Sequence, residues 1–310
     1  MTDDDQCLCL SAQAACDSLR KAGLSLLPAQ VHVEAREDRW LAVLPAGRFA
    51  WFAANLRGRR RLEIERRVLR RLAERCSFQT PRILFESQQG WDLRAGVPGI
   101  CDPWGLYQRV LTDIPLARSI GQAIGSILVE QHTRITHEDV VGWLPIRPQW
   151  PEPGDWLRQR LPRVINDQSL LSAIDGALDT YERVAVGLHD RILVHADLGL
   201  HNIAVDPETG LVRGVFDYDG ACWADRHHDF RYLLFDHQRD EALEAALAVY
   251  EPATGIALNR DRIRLYNAAC AIGFLAFRDG VAPEQRSCGR TLTEDLNWVR
   301  SAVAHLAQRS

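Results

Sequence analysis

Apolar positions along the chain keep the period of strands in its first third and then settle into that of helices. Ser11 to Ala22 reads as a first helix with Gly23 as its stop signal. Three short strands come next: Gln30 to Ala35, with Val31, Val33 and Ala35 on one face, then Arg39 to Leu44 and Arg48 to Ala53, joined by a turn at Ala46-Gly47. Asn55 to Cys76 carries Leu62, Val68, Leu69 and Leu72 as an apolar stripe inside an arginine-rich helix. Pro81 restarts the chain into a strand over Arg82 to Glu86, and Gly90 into another over Trp91 to Arg94. From about Ile100 the pattern is helical. Leu116 to Thr133 places apolar residues at 116, 120, 124, 127 and 128, close to one helical face. Asp139 to Asp155, rich in Trp and Pro, reads as a loop or cap insertion, not as a linker between independent domains. Leu170 to Leu188 predicts a helix. Arg191 to Val194 and Leu211 to Phe216 predict two strands, with Asp206-Pro-Glu-Thr-Gly210 as the hairpin turn between them. Glu241 to Tyr250, Asp261 to Arg278 and Thr291 to Gln308 complete the chain as three helices. Strands first and helices afterwards predict an α+β fold.

Composition narrows the class without naming a chemistry. The 310 residues are 46% hydrophobic and 25% charged, ordinary for a globular chain. The net charge of −4 offers no basic stripe for a nucleic-acid partner. Met1-Thr-Asp-Asp-Asp5 is acidic where a secretory signal is basic, and no run approaches the ~18 apolar residues of a membrane span. Eight cysteines, at 7, 9, 16, 76, 101, 222, 270 and 288, show no C-x-x-C pair or zinc spacing; Cys7-Leu-Cys9 reads as two thiols on a helix. The expectation is a soluble, reduced, cytoplasmic protein with no membrane partner, its oligomeric state undetermined. Lys21 is the only lysine, so arginine supplies the other 36 of the 37 basic residues.

Chemistry concentrates in His195-Ala-Asp197-Leu-Gly-Leu-His-Asn202 and in Val215-Phe-Asp217-Tyr-Asp219-Gly220, whose Asp217 follows Asn202 by fifteen residues. Phosphoryl transfer needs a carboxylate to orient and deprotonate the attacking hydroxyl, an amide to hold a metal, and a second carboxylate to carry Mg²⁺ on nucleotide phosphates. Asp197 fits the first role, and Asn202 and Asp217 the metal roles. An ordinary Asp is far more acidic than a hydroxyl, so its work is orientation and late proton acceptance. Magnesium keeps part of its water shell, so one carboxylate and one amide beside two phosphates suffice. His195 is expected to support the loop by hydrogen-bonding the backbone near Asp217. His201, His227 and His228, with Asp217, Asp219 and Asp225, have the composition of a binuclear metal site, but no H-x-x-x-H pair supports one.

The segment Asp217-Tyr-Asp-Gly-Ala-Cys-Trp223-Ala-Asp225-Arg-His-His-Asp229-Phe230 resembles the stretch C-terminal to the catalytic loop in the aminoglycoside phosphotransferase and choline-kinase-like superfamily of small-molecule kinases. There an Ile-Asp-Phe/Trp strand runs through Trp-x-Asp to a second Asp before an apolar helix. Ala196, where protein kinases carry Arg, suits the small-molecule branch. The specific match spans His195 to Phe230; the rest agrees in layout.

The resemblance implies a protein-kinase-like two-lobe fold, with a β-rich N-lobe over residues 1–97 and a larger, mainly helical C-lobe over 98–310. Ala95-Gly-Val-Pro-Gly99 is similar to the segment that ends the family's N-lobe, which makes Ala95 and Val97 the expected nucleotide-binding positions of the hinge. Asp229 is implied to accept backbone N–H bonds from the catalytic loop. Asp219 stands where the family often has a small residue. Glu65, with Leu69 and Leu72, matches an E-x-x-x-L-x-x-L helix whose Glu pairs with a strand lysine on the α- and β-phosphates. Here Trp51, or a neighbour in Phe49 to Ala53, stands in that lysine's place, as in chains resembling the viomycin phosphotransferase type. Arginines 48, 57, 59, 60 and 61 are the candidate substitutes.

The function implied is an ATP- or GTP-dependent, Mg²⁺-requiring kinase acting on a hydroxyl of a small molecule, antibiotic inactivation included. The alternative is a catalytically weak, kinase-like nucleotide-binding regulatory protein, which the missing lysine supports. Ten acidic residues against nine arginines from Asp236 to Ser310 weaken an aminoglycoside reading, since a polycation wants an acidic pocket. Trp143, Trp150 and Trp156 offer flat walls for a ring compound, or pack the cap onto the lobe; the second fits most of them.

Overall fold

The computed structural model describes residues 10–148, 150–235, 240–287 and 289–307. Met1 to Asp5 and the thiols of Cys7, Cys9 and Cys288 lie outside the described residues. Helix α1 (Ala12–Leu19) is capped by Ser11, whose side chain accepts from the Ala14 N–H. Five strands come after it: β1 (His32–Arg36), β2 (Arg39–Leu44), β3 (Arg48–Ala53), β4 (Arg82–Ser87) and β5 (Trp91–Ala95). They form one antiparallel sheet in the order β1-β2-β3-β5-β4. Ala15, Cys16 and Leu19 of α1 pack with Ala42, Ala50, Phe52, Trp91 and Leu93 of the sheet into one core.

Helix α2 (Leu56–Arg75) enters between β3 and β4. Its apolar stripe faces away from that small core. Val68, Leu69 and Leu72 belong to the large core of the helical lobe, with Leu198, Leu200 and Tyr218 of the catalytic region. The helix therefore ties the lobes together, and its side touches the turn Tyr218–Gly220.

The helical lobe comprises α3 (Pro103–Thr112), α4 (Ile114–Arg134), α5 (His137–Val140), α6 (Gly154–Val164), α7 (Gln168–Glu182), α8 (Tyr232–Phe235), α9 (Asp240–Thr254), α10 (Arg260–Ala276) and α11 (Leu292–Ala307). Helices α4 and α9 meet backbone to backbone: a Cβ on Gly121 would lie 2.1 Å from the Ala242 carbonyl oxygen, and one on Gly125 2.5 Å from that of Ala246. The tryptophans of the cap pack inward. Trp150 lies 4.9 Å from Phe274 and 5.2 Å from Phe277, and Trp156 4.9 Å from Phe277, between ring centroids. Trp143 faces the Arg67 guanidinium instead, 4.3 Å from its ring centroid.

Four short strands, β6 (Arg191–Val194), β7 (Ile203–Val205), β8 (Val212–Val215) and β9 (Cys222–Asp225), frame the cleft. The sequence predicts a hairpin between 191–194 and 211–216, and the structure corrects it. Strand β8 pairs with β7, and β6 pairs with β9, both antiparallel. The turn at Asp206–Gly210 closes the β7-β8 hairpin. Ile203-Ala-Val205 is too short to show a period, and Cys222-Trp-Ala-Asp225 lies inside a motif whose polar ends hide a strand. The pairing places the segment after Val194 beside the one after Val215.

Candidate active site

Strand β6 delivers His195, Ala196 and Asp197 to the cleft; β8 delivers Asp217. Ala196 and Asp217 both sit in the left-handed region, with φ of +69° and +66°. Non-glycine residues rarely adopt it, and surrounding contacts must hold them there. Asp229 supplies much of that hold. It is fully buried. Its Oδ2 accepts from the His195 N–H and its Oδ1 from the Ala196 N–H, each at 2.9 Å. Gln131 Nε2 and His132 Nε2, from α4, also reach Oδ2, at 3.0 and 3.1 Å. Burial works to raise the Asp229 pKa, and these donors outweigh it and lower it.

His195 is fully buried. Its Nε2–H donates to the Phe216 carbonyl at 2.9 Å, and its Nδ1 accepts from the Asp197 N–H at 3.3 Å, so the ring joins the two motif segments as a neutral tautomer. Asp197 is the open member, with its side chain 44% exposed. The Tyr232 hydroxyl donates to its Oδ1 at 2.5 Å; Asn202 Nδ2 and His201 Nε2 reach its Oδ2 at 3.1 and 3.2 Å. Partial desolvation pushes the Asp197 pKa up, and the contacts from His201 and Tyr232 bring it below the ordinary value. Asn202 Nδ2 also donates to the Asp197 backbone carbonyl at 2.8 Å, which leaves the amide oxygen as its acceptor.

Asp217 is a carboxylate shielded from solvent among like charges. Loss of solvent, then the neighbouring charges of Asp219 and Glu65, push its pKa up to about 8, against the opposing Arg39 guanidinium. Such a group suits a divalent ion, which would return it to the charged form. Among the described residues no set of three or more His, Cys, Asp or Glu side chains is grouped to hold a metal. One carboxylate and one amide oxygen would be the protein's share of such an ion's ligands, with phosphates and water supplying the rest.

The histidines beside this centre are engaged structurally. His227 Nδ1 lies 2.6 Å from Asp225 Oδ1 and its Nε2 accepts from the Asn259 N–H at 3.2 Å. His228 stacks on Tyr266 with centroids 4.2 Å apart, and burial holds its pKa low, at about 3. Asp225 in turn takes hydrogen bonds from Tyr266 and His227 and an ion pair with Arg262, anchoring α10.

On the opposite side of the cleft, Glu65 of α2 is 1% exposed. Its Oε1 lies 2.8 Å from Arg94 Nη1 and its Oε2 3.5 Å from Arg39 Nη1. Arg94 is held further by Asp92, which also receives Arg66 at 2.7 Å. Among the described residues none of the five candidate arginines pairs with Glu65, a correction to the sequence reading. Arg48 donates to the Pro45 carbonyl, Arg57 pairs with Asp38, and Arg59 lies against Gly90. Arg60 is exposed on α2, and Arg61 pairs with Asp219, Glu37 and Asp38. The helix period accounts for Arg60, which lies well round the helix from Glu65, whereas Arg61 shares the face of Glu65 one turn earlier and is taken up by Asp219, Glu37 and Asp38 instead. Ala95 ends β5, paired with Arg48 on one side and Arg82 on the other. Val97 lies against β8, where a Cβ on Gly214 would meet its Cγ1 at 2.8 Å.

Arg39, Tyr232 and Gln131 were not legible as site residues. Arg39 carries one faint signal, an arginine opening the strand next to the one that lacks its lysine. A cavity of about 550 Å³ between α7, α10 and α11 is lined by Ala177, Thr180, Arg262, Leu265, Val303 and Leu306, and includes none of the cleft residues.

A family model described as the phosphotransferase enzyme family matches residues 33–266. Streptomycin 3″-kinase of Streptomyces griseus is 32% identical over 108 residues, a stretch covering 34% of this chain and 39% of that protein. The chain thus aligns with well under half of that kinase's length. The fold is similar to that of aminoglycoside 2′-phosphotransferase-IIIa in its GDP complex, at a TM-score of 0.69 and 14% identity over 94% of this chain and 98% of that one. It is similar also to a spectinomycin phosphotransferase in complex with ADP and spectinomycin, at 0.64 and 13% over 96% and 97%. A macrolide 2′-phosphotransferase of Brachybacterium faecium matches at 0.61 and 18% over 96% and 99%.

Proposed function

The chain belongs to the phosphotransferase enzyme family, with an alcohol group as acceptor, and from that premise we propose that it transfers the γ-phosphate of ATP or GTP to a hydroxyl of a small antibiotic. The observation that carries this reading is the convergence of Asp197, Asn202 and Asp217 on one cleft, with His195 joining the two segments that bear them. In this reading the lobe boundary falls after Val97, and Ala95 and Val97 present backbone groups to the base.

Asp197 orients the acceptor hydroxyl and takes its proton as the new O–P bond forms and the bond from the γ-phosphorus to the β-phosphate oxygen breaks. The nucleoside diphosphate leaves with the electron pair. The lowered pKa of Asp197 keeps it ionised and ready to accept. Asp217 and the amide oxygen of Asn202 would hold Mg²⁺, which would supply charge neutralisation at the transferred phosphoryl group. Asp229 and His195 keep the strained loop in register so that the base stands where the hydroxyl arrives.

Relatives named for streptomycin, spectinomycin and macrolide phosphorylation support an antibiotic acceptor. The test is a screen of γ-labelled ATP and GTP against hydroxylated antibiotics, sugars and amino alcohols. Label transferred to an antibiotic is the expected result. Tight nucleotide binding with no acceptor turning over would favour the regulatory alternative. No helix among the described residues is long and apolar enough to cross a membrane.

A further inference from the structure

A kinase cleft without its strand lysine must place a cation elsewhere, and the structure shows one on the neighbouring strand. Arg39 opens β2, is 5% exposed, and sends its guanidinium toward the cleft between α2 and the Tyr218–Gly220 turn. Its Nη2 donates to Asp219, two residues beyond Asp217. Its Nη1 stands 3.5 Å from Glu65 Oε2 and its Nε 3.7 Å from Asp38 Oδ1. The guanidinium carbon lies 4.4 Å from the ring centroid of Trp51, in the β3 segment Phe49 to Ala53 where the family's lysine is expected. Gly58 allows this approach, because a Cβ there would sit 2.1 Å from the Asp38 carbonyl oxygen and 3.3 Å from Arg39 Cγ.

Two of these donors are held at ion-pair range only, without a hydrogen bond. Arg39 Nε and Nη1 are buried without a hydrogen-bond acceptor, and Glu65 Oε2 is buried without a donor. Leaving buried charged groups short of partners is costly, so such atoms point to an acceptor that arrives with a ligand. A planar guanidinium fits this setting where an ammonium would not. It stacks on the indole face and still offers its edge donors in a fork matched to phosphate oxygens.

We propose that Arg39 is the phosphate-contacting cation of this enzyme, reaching the position of the missing lysine from β2 across the face of Trp51, with Glu65 as its positioning partner. The proposal rests on the phosphotransferase reading above. Arg94 does not compete for the role: its Nε and Nη2 are spent on Asp92, and its Nη1 lies against Glu65 Oε1 at 2.8 Å. Arg61 reaches Asp219 from the outer side and pairs with Glu37 and Asp38. Trp51 then acts as the platform that lets an arginine on β2 do what a lysine on β3 does elsewhere.

The test separates contact with phosphate from support of the lobe. Calorimetry compares wild type and Arg39→Gln for the Mg²⁺ complexes of ADP and GDP and for adenosine and guanosine, which have no phosphate. Arg39→Gln is expected to weaken the diphosphate by about tenfold or more, the loss of one charge-assisted hydrogen bond, and to leave the nucleoside unchanged. Diphosphate affinity within about twofold of wild type, or an equal loss for the nucleoside, would overturn the proposal. If Arg39→Gln fails to fold, Arg39→Gln/Asp219→Asn removes the stranded carboxylate in the same step and carries the same comparison. Trp51→Lys added to Arg39→Gln returns a cation to β3 and is expected to recover part of the diphosphate affinity alone; no recovery would contradict a shared position. Wild type that binds no nucleoside diphosphate would sink the phosphotransferase reading itself, a result distinct from all of these.

Discussion

Asp197 is held by side chains from two places. Asn202 and His201 come from the loop itself, and Tyr232 from the start of α8. The tyrosine hydrogen bond favours the ionised carboxylate, so Tyr232→Phe is expected to raise the Asp197 pKa and move the acid limb of the kcat/KM profile to higher pH. A profile that does not move would mean Tyr232 fills space only. Asp197, Asn202, Asp217 and Asp229 stood out in the sequence because they fall within one short stretch at fixed spacing. Tyr232 and Arg39 did not, because nothing local marks them. Their meaning comes from partners such as Asp197 and Asp219, and for Arg39 the pair is set by the fold of two lobes. The five arginines of α2 and its surroundings were attractive by count alone, and a count carries no direction.

At the scale of elements, the catalytic loop is a strained turn clamped to α4 through one carboxylate. Removing Asp229 strands the N–H groups of His195 and Ala196 and the side chains of Gln131 and His132. Asp229→Ala is expected to cost on the order of 3 kcal/mol or more of unfolding free energy, read from urea denaturation. The folded-state pKa of this Asp is depressed, so its contribution is present above the unfolded carboxylate pKa and fades as pH falls through the folded value. A loss under about 1 kcal/mol would show that the loop holds itself. A second clamp joins α4 to α9. Gly121→Ala drives a methyl into the Ala242 carbonyl and is expected to lower stability by roughly 1–3 kcal/mol, seen as a fall in Tm. The strands β2 and β3 match the sequence reading residue for residue, since alternation and the Ala46-Gly47 turn define them. Helices α3 and α6 were not legible. α3 begins with Asp102 and Pro103, a sound start signal, but Gly105 breaks its apolar pattern, and α6 carries Pro153 before it and Pro162 within it. The β6-β9 and β7-β8 pairings were hidden because strands of three or four residues are too short to show a period.

For the whole molecule, α2 is the part that ties the helical core to the cleft. One of its faces packs into the large helical core, and its polar side carries Glu65 and Arg61 to the cleft. Nucleotide bound between the lobes should therefore stabilise both. At a hundredfold excess over Kd, nucleotide with Mg²⁺ is expected to add about 2.7 kcal/mol, seen as one cooperative rise in Tm. Asp217→Ala should abolish the Mg²⁺-dependent part of that rise, and an undiminished rise would remove this residue from the metal site. The α+β class was visible from the order of strands and helices, and the two-lobe plan from the family resemblance. How α2 bridges the lobes was not, because its stripe of leucines looks the same whichever core it enters.

The most direct test of the account is a single-turnover measurement of γ-phosphate transfer to the acceptor found in the screen, with nucleotide affinity measured on the same samples of wild type and Asp197→Asn. Loss of the proposed base is expected to slow transfer by about 10²–10⁴ while nucleotide affinity stays as in wild type, since the proposed mechanism sets Asp197 against the acceptor hydroxyl and not the phosphates. Transfer at the wild-type rate in Asp197→Asn would contradict the account.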